Sequence, residues 1–173
     1  MKLLLIADND SQLLACEALC LGSGISPDDV TLNVIPREGT PESILRRVRP
    51  LGTVWTLQLT QLLNSSKLNH FDAIGVFLTG SKLNDIRLAL ERRPKRPLLF
   101  CGFNGVVLDH FIEGISWRLG YDLICLSGPR DQEALEQLVA NTPFANQRTV
   151  LTGLQRNQIS VKVPPTSEKA KQM

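Results

Sequence analysis

Short apolar runs alternate with helix-like segments along almost the whole chain of 173 residues, and this alternation restricts the fold more than any other feature. Three of the runs are apolar throughout: Ala73–Leu78, Leu98–Cys101 and Leu123–Leu126. Parallel strands have this composition when helices cover both faces of their sheet. The pattern therefore predicts the α/β class, with a doubly wound, mostly parallel sheet of five to six strands.

The apolar runs and the turn signals between them place the individual elements. Strands are predicted at 3–6, 30–35, 73–78, 98–101, 123–126 and 149–151. Helices are predicted from Asp10 or Ser11 to Leu21, at 41–48, 54–63, 81–92 and 106–119, and after Pro129. Thr40 is the predicted cap of the second helix, with Pro41 as its first residue. One Rossmann-like domain is expected over 1–156, followed by a mobile polar tail over 157–173.

The composition restricts the function. A net charge of +2 gives no reason to expect a nucleic-acid partner. The four cysteines form no CxxC pair and lack a set of histidines, so neither zinc nor any other metal or cofactor is predicted. The apolar run at Leu3–Ile6 is too short for a signal peptide, and no run is long enough for a membrane span. These features predict a cytoplasmic protein whose thiols are reduced and buried.

Polar side chains follow the predicted strands where those strands end. In a parallel α/β sheet, ligands bind at the carboxyl ends of the strands, so one edge should gather these side chains. They are Asp8, Asp10, Gln12, Thr79, Ser81, Asn104, Ser127 and Arg130.

The carboxylates Asp8 and Asp10 flank Asn9 directly after the first predicted strand. Haloacid-dehalogenase-type phosphatases begin with such an Asp-x-Asp pair, in which one Asp attacks phosphorus and the other acts as acid and base. Their second motif resembles the strand that ends at Thr79. Their later acidic pair, which holds magnesium, is missing from the strand that ends at Ser127.

Two other families that use acidic residues in this way fit less well. Phosphorelay receiver domains need an Asp near Thr79 and a Lys near Ser127. Single-domain glycosyltransferases carry Asp-x-Asp well inside the chain. The structural alternative is that Asp10 or Ser11 caps the first helix while Asp8 bonds the turn. Ligand contact and capping both stay open for this segment.

A second group of candidates surrounds the predicted helix 106–119. The turn Gly102-Phe103-Asn104-Gly105 could hold an anion on its backbone N–H groups, or its glycines could merely permit a tight turn. His110 and Glu113 lie one helical turn apart, and His110 is a possible general base or an ordinary exposed histidine. Arg118 suits the carboxyl end of that helix.

Three segments together carry a family resemblance: "LLLIADNDSQL", "CGFNGVVLDHFIEGISWRLGYDLICLSGPRDQEAL" and "TVLTGL". They resemble a bacterial, chiefly cyanobacterial, group of glycosyltransferase-like proteins. The pattern looks like the N-terminal Rossmann half of a two-domain, GT-B-type enzyme, and the resemblance covers residues 1–155.

The resemblance implies a function for the predicted edge. In a GT-B enzyme the second domain binds the nucleotide sugar and the first mainly holds the acceptor. This chain ends soon after "TVLTGL", so the donor domain is expected to be missing and the chain to be inactive alone. The expected partners are a polar acceptor substrate and either a separate donor-binding domain or a second copy of the chain.

The same resemblance gives the candidate residues their roles. His110 or Asp8 would take the proton of the acceptor hydroxyl. The acceptor would be bound by Asp10, Gln12, Thr79, Ser81, Asn104, Glu113 and Ser127. Two alternatives stay open: a magnesium-dependent phosphatase of the haloacid-dehalogenase kind, and a non-catalytic module that docks another chain through an apolar face.

Overall fold

A computed structural model describes residues 1–37, 41–102 and 111–151, apart from the side chains of Phe111 and Ile112. Seven strands form one sheet in which every pair of neighbours is parallel. They are β1 (Leu3–Ala7), β2 (Val30–Val34), β3 (Thr53–Trp55), β4 (Ala73–Val76), β5 (Leu98–Gly102), β6 (Leu123–Leu126) and β7 (Thr149–Leu151). The predicted parallel α/β class is confirmed, with a sheet slightly wider than expected.

The helices connect successive strands. They are α1 (Asp10–Ser23), α2 (Glu42–Val48), α3 (Leu59–Leu63), α4 (Ser81–Glu91), α5 (Phe111–Ser116) and α6 (Pro129–Val139). Short 3-10 helices lie at Pro27–Asp29, Arg49–Leu51 and Ser66–His70. Within the described ranges, no helix is both long enough and apolar enough to cross a membrane.

The predicted helix 54–63 is wrong in its first part. Residues 53–55 form the edge strand β3, and the helical part is confined to α3. Thr53, Val54 and Trp55 are β-branched or aromatic, and such residues favour strands when a neighbouring strand is available. β2 supplies that neighbour, because Thr53 pairs with Thr31 and Val54 pairs with Leu32.

The beginning of α1 also corrects the prediction. Asn9, and not Asp10 or Ser11, is the N-cap, and its side-chain oxygen accepts from the Gln12 N–H at 2.9 Å. At α2 the cap is Pro41 and Thr40 lies outside the described residues. Residues 106–110 of the predicted fifth helix and the predicted tail 157–173 also lie outside them. Helix α5 ends at Ser116, before the predicted residue 119.

The strand order is β3-β2-β1-β4-β5-β6-β7. The chain builds outward from β1 to β3 and then returns to place β4 on the other side of β1. This reversal of direction is the topological switch point of a doubly wound sheet, where the connections on either side leave a crevice at the carboxyl ends of the strands. Here the switch point lies between β1 and β4.

The sheet separates two apolar cores because successive strand side chains point to opposite faces. Leu5 of β1 belongs to the core beneath α1, with Leu13 and Cys16. Leu4 belongs to the core on the other face, beneath α4, with Ile86. We call these surfaces the α1 face and the α4 face. All five residues of β1 are buried, as a central strand covered on both sides requires.

Candidate functional site

Asp8 lies at the switch point, immediately after β1. Its side chain is only 3% exposed, and its Oδ2 is 2.7 Å from Nζ of Lys82 and 3.2 Å from Nη2 of Arg37. Lys82 lies in the first turn of α4, which follows β4, and Arg37 follows β2. Three adjacent strands therefore bring one buried carboxylate and two cations together at the carboxyl edge of the sheet.

The local sequence explains how Asp8 is held. Asn9 is extended, with φ −151° and ψ 174°, and it caps α1 so that the helix starts one residue later. Gln12 then points back beneath the turn, where its Oε1 accepts from the Asp8 N–H at 2.7 Å. Gln12 is fully buried. The Asp8 side chain therefore contacts the two cations, and only its backbone N–H bonds within the turn. This corrects the alternative in which Asp8 bonds the turn.

Gly80 controls the position of Lys82. Its φ of 67° and ψ of −148° lie in a region that is open to glycine and strained for other residues. The chain turns there from β4 into α4, and Lys82 becomes the second residue of the helix. A short connection thus carries the ammonium group back over the end of β1.

Two polar atoms of this cluster have no hydrogen-bond partner among the described residues. They are Oδ1 of Asp8, an acceptor, and Nε2 of Gln12, a donor, and both atoms are buried. Leaving a buried polar group unpaired costs about 1–3 kcal/mol. Native structures contain few such groups, and functional sites are one of the places where they occur.

The charges of the cluster are arranged asymmetrically with respect to solvent. The carboxylate is buried, whereas the Lys82 and Arg37 side chains are 45% and 54% exposed. Asp10, in the first turn of α1, adds an exposed carboxylate nearby. The edge therefore offers cations and a carboxylate to solvent, with the Asp8 oxygens beneath them.

The structure places the described candidates at the same edge of the sheet. Asp10 and Gln12 lie in α1, Thr79 and Ser81 lie at the β4–α4 connection, Glu113 lies in the first turn of α5, and Ser127 follows β6. Asn104 and His110 lie outside the described residues.

These candidates do not form one cluster. Asp8 and Gln12 are in contact, and the connection that carries Thr79 and Ser81 also carries Lys82, which contacts Asp8. Ser127 is three strand spacings away from Asp8 in the sheet order, which is about 14 Å at about 4.8 Å per spacing. A small ligand at Asp8 would therefore meet the first group and not Ser127.

Sequence reasoning missed Lys82 and Arg37. Each follows a strand that borders β1, but the borders are known only once the strand order is known. The available signal was the sequence Thr79-Gly80-Ser81-Lys82 after an apolar strand, since a cation in the first turn of a helix runs against the usual charge preference there.

Arg118 was predicted only to place a charge at the end of a helix, but its buried side chain also forms hydrogen bonds. It is 3% exposed and donates to the carbonyl oxygens of Gly114, at 2.6 Å, and of Gly102, at 3.3 Å. Burial lowers the pKa of its guanidinium. Because Gly102 ends β5 and Gly114 lies in α5, Arg118 joins this helix to the carboxyl end of its strand.

Residues 3–172 match a family model with the description "Putative glycosyltransferase (DUF6716)". No curated protein and no solved structure matches the chain. Among the described residues, no group of three or more His, Cys, Asp or Glu side chains could hold a metal ion.

Proposed function

The chain belongs to the DUF6716 family of glycosyltransferase-like proteins, and we propose that it acts as the acceptor-side, GT-B-type half of a glycosyltransferase. One observation carries the proposal: a buried carboxylate, Asp8, lies at the switch point of a doubly wound sheet with Lys82 and Arg37 on one of its oxygens. Ligands of such sheets bind at this point.

The chemistry of the edge suits a sugar or another polyol. Each hydroxyl group of a sugar can donate one hydrogen bond and accept others. Asp8 supplies an acceptor and Lys82 supplies donors, and the exposed residues Thr79 and Ser81 of the same β4–α4 connection carry hydroxyl groups. A hydroxyl-rich ligand could therefore pair with every group in the site.

The first turn of α1 argues for the acceptor and against the nucleotide of the donor. A pyrophosphate usually binds at the free N–H groups of a helix N-terminus. In α1 the Gln12 N–H is already bonded to the side chain of Asn9, and Asp10 adds a negative charge. Both features disfavour a pyrophosphate there. We propose that the donor is bound by a separate domain or chain and that this chain is inactive alone.

Asp8 is the proposed general base of the complete enzyme. It would take the proton of the acceptor hydroxyl while that oxygen bonds to the anomeric carbon of the donor sugar. The bond from that carbon to the nucleoside diphosphate would break, and the diphosphate would leave with the electron pair. Lys82 and Arg37 would hold Oδ2, so that Oδ1 faces the hydroxyl. His110 is the second candidate for the base.

Acceptor binding can be tested by saturation-transfer NMR with glucose, galactose, mannose and N-acetylglucosamine. We expect at least one of these sugars to bind the wild type, and Asp8→Asn to weaken that binding at least about tenfold, the equivalent of about 1.4 kcal/mol. Asp85→Asn is the matched control, because Asp85 is an exposed aspartate of α4. Equal binding by Asp8→Asn would remove Asp8 from the site.

Turnover assays separate the alternatives. Transfer or hydrolysis of UDP-glucose or GDP-mannose by the chain alone would contradict a separate donor domain. Magnesium-dependent phosphate release from p-nitrophenyl phosphate, lost in Asp8→Asn, would instead identify a phosphatase of the haloacid-dehalogenase kind.

One observation favours a second candidate function, the interaction module. Within the described part of the chain, the core of the α1 face contains buried residues of α1, α2, β1, β2, β4 and β5. The strand register places four further apolar side chains on the same face: Leu98, Leu123, Cys125 and Val150. Leu98 is 48% exposed and Val150 is 40% exposed. We call these four residues the apolar strip.

A second copy of the chain is the proposed occupant of the apolar strip. β7 is the last strand of the sheet among the described residues, and antiparallel pairing with β7 of a second copy would continue both the sheet and its apolar face. Light scattering after gel filtration should then detect a dimer that Val150→Glu disrupts. Leu88→Glu, at a side chain that is also 40% exposed but on α4, should leave the dimer intact. A wild-type monomer at high concentration would contradict this second function.

A further inference from the structure

Asp8 and Gln12 present an acceptor and a donor that nothing described in the protein uses. Gln12 Oε1 accepts from the Asp8 N–H at 2.7 Å, so the two side chains are neighbours. Their remaining polar atoms, Asp8 Oδ1 and Gln12 Nε2, are both buried and without a hydrogen-bond partner among the described residues. A folded protein that leaves both atoms unpaired is less stable than one that pairs them.

The hydrogen bonds already formed determine which atoms are available. The Asp8 N–H needs an oxygen opposite it, and this requirement sets the orientation of the Gln12 amide and leaves its NH₂ group on the other side. Lys82 and Arg37 both lie against Oδ2 of Asp8, so Oδ1 is the oxygen that remains. One acceptor and one donor on adjoining side chains match the two hydrogen-bonding functions of a single hydroxyl group.

We propose that Asp8 Oδ1 and Gln12 Nε2 together bind one hydroxyl group of the acceptor, and that Gln12 makes the site specific for that hydroxyl. The hydroxyl donates its hydrogen to Oδ1 and accepts from Nε2. This inference rests on the proposed function and deepens it, because it assigns one residue to the selection of the acceptor. Gln12 is a positioning residue in this scheme, and Asp8 is the proposed base.

A hydroxyl group that binds the pair must reach it from the surface at which Lys82 and Arg37 are exposed. Both atoms of the pair are buried, whereas these two cations have long side chains that are 45% and 54% exposed. Side chains of this kind change rotamer readily at a surface. In this scheme the exposed parts of the two side chains shift to admit the hydroxyl to Oδ1 and Nε2, while their charged groups stay on Oδ2.

An acceptor that lacks the selected hydroxyl leaves both atoms unpaired on binding. Sites built to hydrogen-bond a hydroxyl reject the analogue without it strongly, since the buried polar groups are then desolvated without compensation. A single position on the sugar should therefore account for most of the selectivity. Removal of any other hydroxyl should have a smaller effect.

The test compares a sugar with its monodeoxy analogues on three proteins. NMR titration gives the dissociation constants of the tightest-binding monosaccharide and its deoxy series for the wild type, Gln12→Glu and Gln12→Met. Gln12→Glu retains an oxygen for the Asp8 N–H and replaces the Nε2 donor with an acceptor. Gln137→Glu, at an exposed glutamine of α6, is the control.

We expect the wild type and Gln137→Glu to bind one deoxy analogue at least about tenfold more weakly than the parent sugar. Both Gln12 variants should lose most of that ratio, which a purely structural effect on folding would leave unchanged. A wild type that treats every deoxy analogue alike, or Gln12 variants that retain the ratio, would overturn this inference alone. If no monosaccharide binds the wild type, the proposed function falls, and this inference falls with it.

Discussion

Asp8 takes its role from residues that are distant in the sequence. Lys82 is 74 positions away, and the parallel sheet brings it to the carboxylate because β4 borders β1. The burial is unequal: Asp8 is buried, whereas both cations are about half exposed. Removing the carboxylate and removing the cations should therefore have different energetic effects.

Stability measurements on charge variants test this asymmetry. Replacing both Lys82 and Arg37 with Met leaves a buried carboxylate without a cation, and we expect the free energy of unfolding to fall by about 2–4 kcal/mol. Asp8→Asn leaves two cations that can turn to solvent, and the loss should be below about 1.5 kcal/mol. Urea unfolding measures both, with Asp85→Asn as the control. A larger loss for Asp8→Asn than for the double variant would contradict the assigned burial.

The thiols lead to a prediction about pH. Burial raises the pKa of Cys20 and of Cys125 to about 11, from an ordinary value of 9.0. Between these pH values the unfolded chain has lost the two thiol protons and the folded chain still holds them. The stabilisation is therefore complete below about pH 9 and is lost as the pH rises toward about 11.

Alkaline unfolding measures this effect. We expect the free energy of unfolding to decrease between about pH 9 and about pH 11, and the decrease to be smaller in a Cys20→Ala/Cys125→Ala variant. The comparison with the variant is needed because burial also raises the pKa of the Cys16 and Cys101 thiols and of the Tyr121 phenol. If the two proteins show the same pH dependence, burial does not raise the pKa of Cys20 and Cys125.

At the scale of single elements, substitutions in the first turn of α1 test which residue is the N-cap of that helix. Asn9 accepts from the Gln12 N–H, whereas Asp10 lies inside the first turn. Asn9→Ala should lower the free energy of unfolding by about 1 kcal/mol, because the Gln12 N–H loses its acceptor. Asp10→Ala should cost only a few tenths of a kcal/mol, from the helix dipole. Thermal unfolding of both variants measures the difference, and equal losses would contradict the cap assignment.

Alanine substitutions at two glycines test the packing of β4 and α1. A Cβ on Gly75 of β4 would lie 2.4 Å from the Phe100 ring and 2.8 Å from Leu5, so Gly75→Ala should destabilise the protein by about 1–3 kcal/mol. A Cβ on Gly22 of α1 would meet nothing within 4 Å. Gly22→Ala should therefore be neutral, or stabilising by up to about 1 kcal/mol. Urea unfolding measures both, and equal effects would contradict the packing described around Gly75.

The elements that the sequence predicted well are those with one strong signal. Continuous apolar runs predicted the central strands, because only strands buried on both faces tolerate them. β3 was missed because its apolar residues continue into α3, and a short apolar run fits a strand or a helix equally well. The cap of α1 was misassigned because Asn9, Asp10 and Ser11 are all good caps in sequence.

At the scale of the whole molecule, the edge of the sheet was predictable and the contacts within it were not. Parallel strands send their carboxyl ends to one side, so Asp8, Thr79 and Ser127 had to share an edge. Which strands border β1 depends on a reversal of winding that no local pattern encodes. Lys82 and Arg37 could therefore be recognised as partners of Asp8 only from the strand order.

We propose that a sugar binds at the switch point, against Asp8, and amide chemical-shift mapping tests this claim most directly. Titration of the isotope-labelled protein with the sugar that binds most tightly should shift the amide signals of Asp8, Gln12, Gly80 and Lys82 together. Shifts confined to the opposite edge of the sheet, around Lys2, Asp72 and Arg96, or to the apolar strip, would contradict the claim.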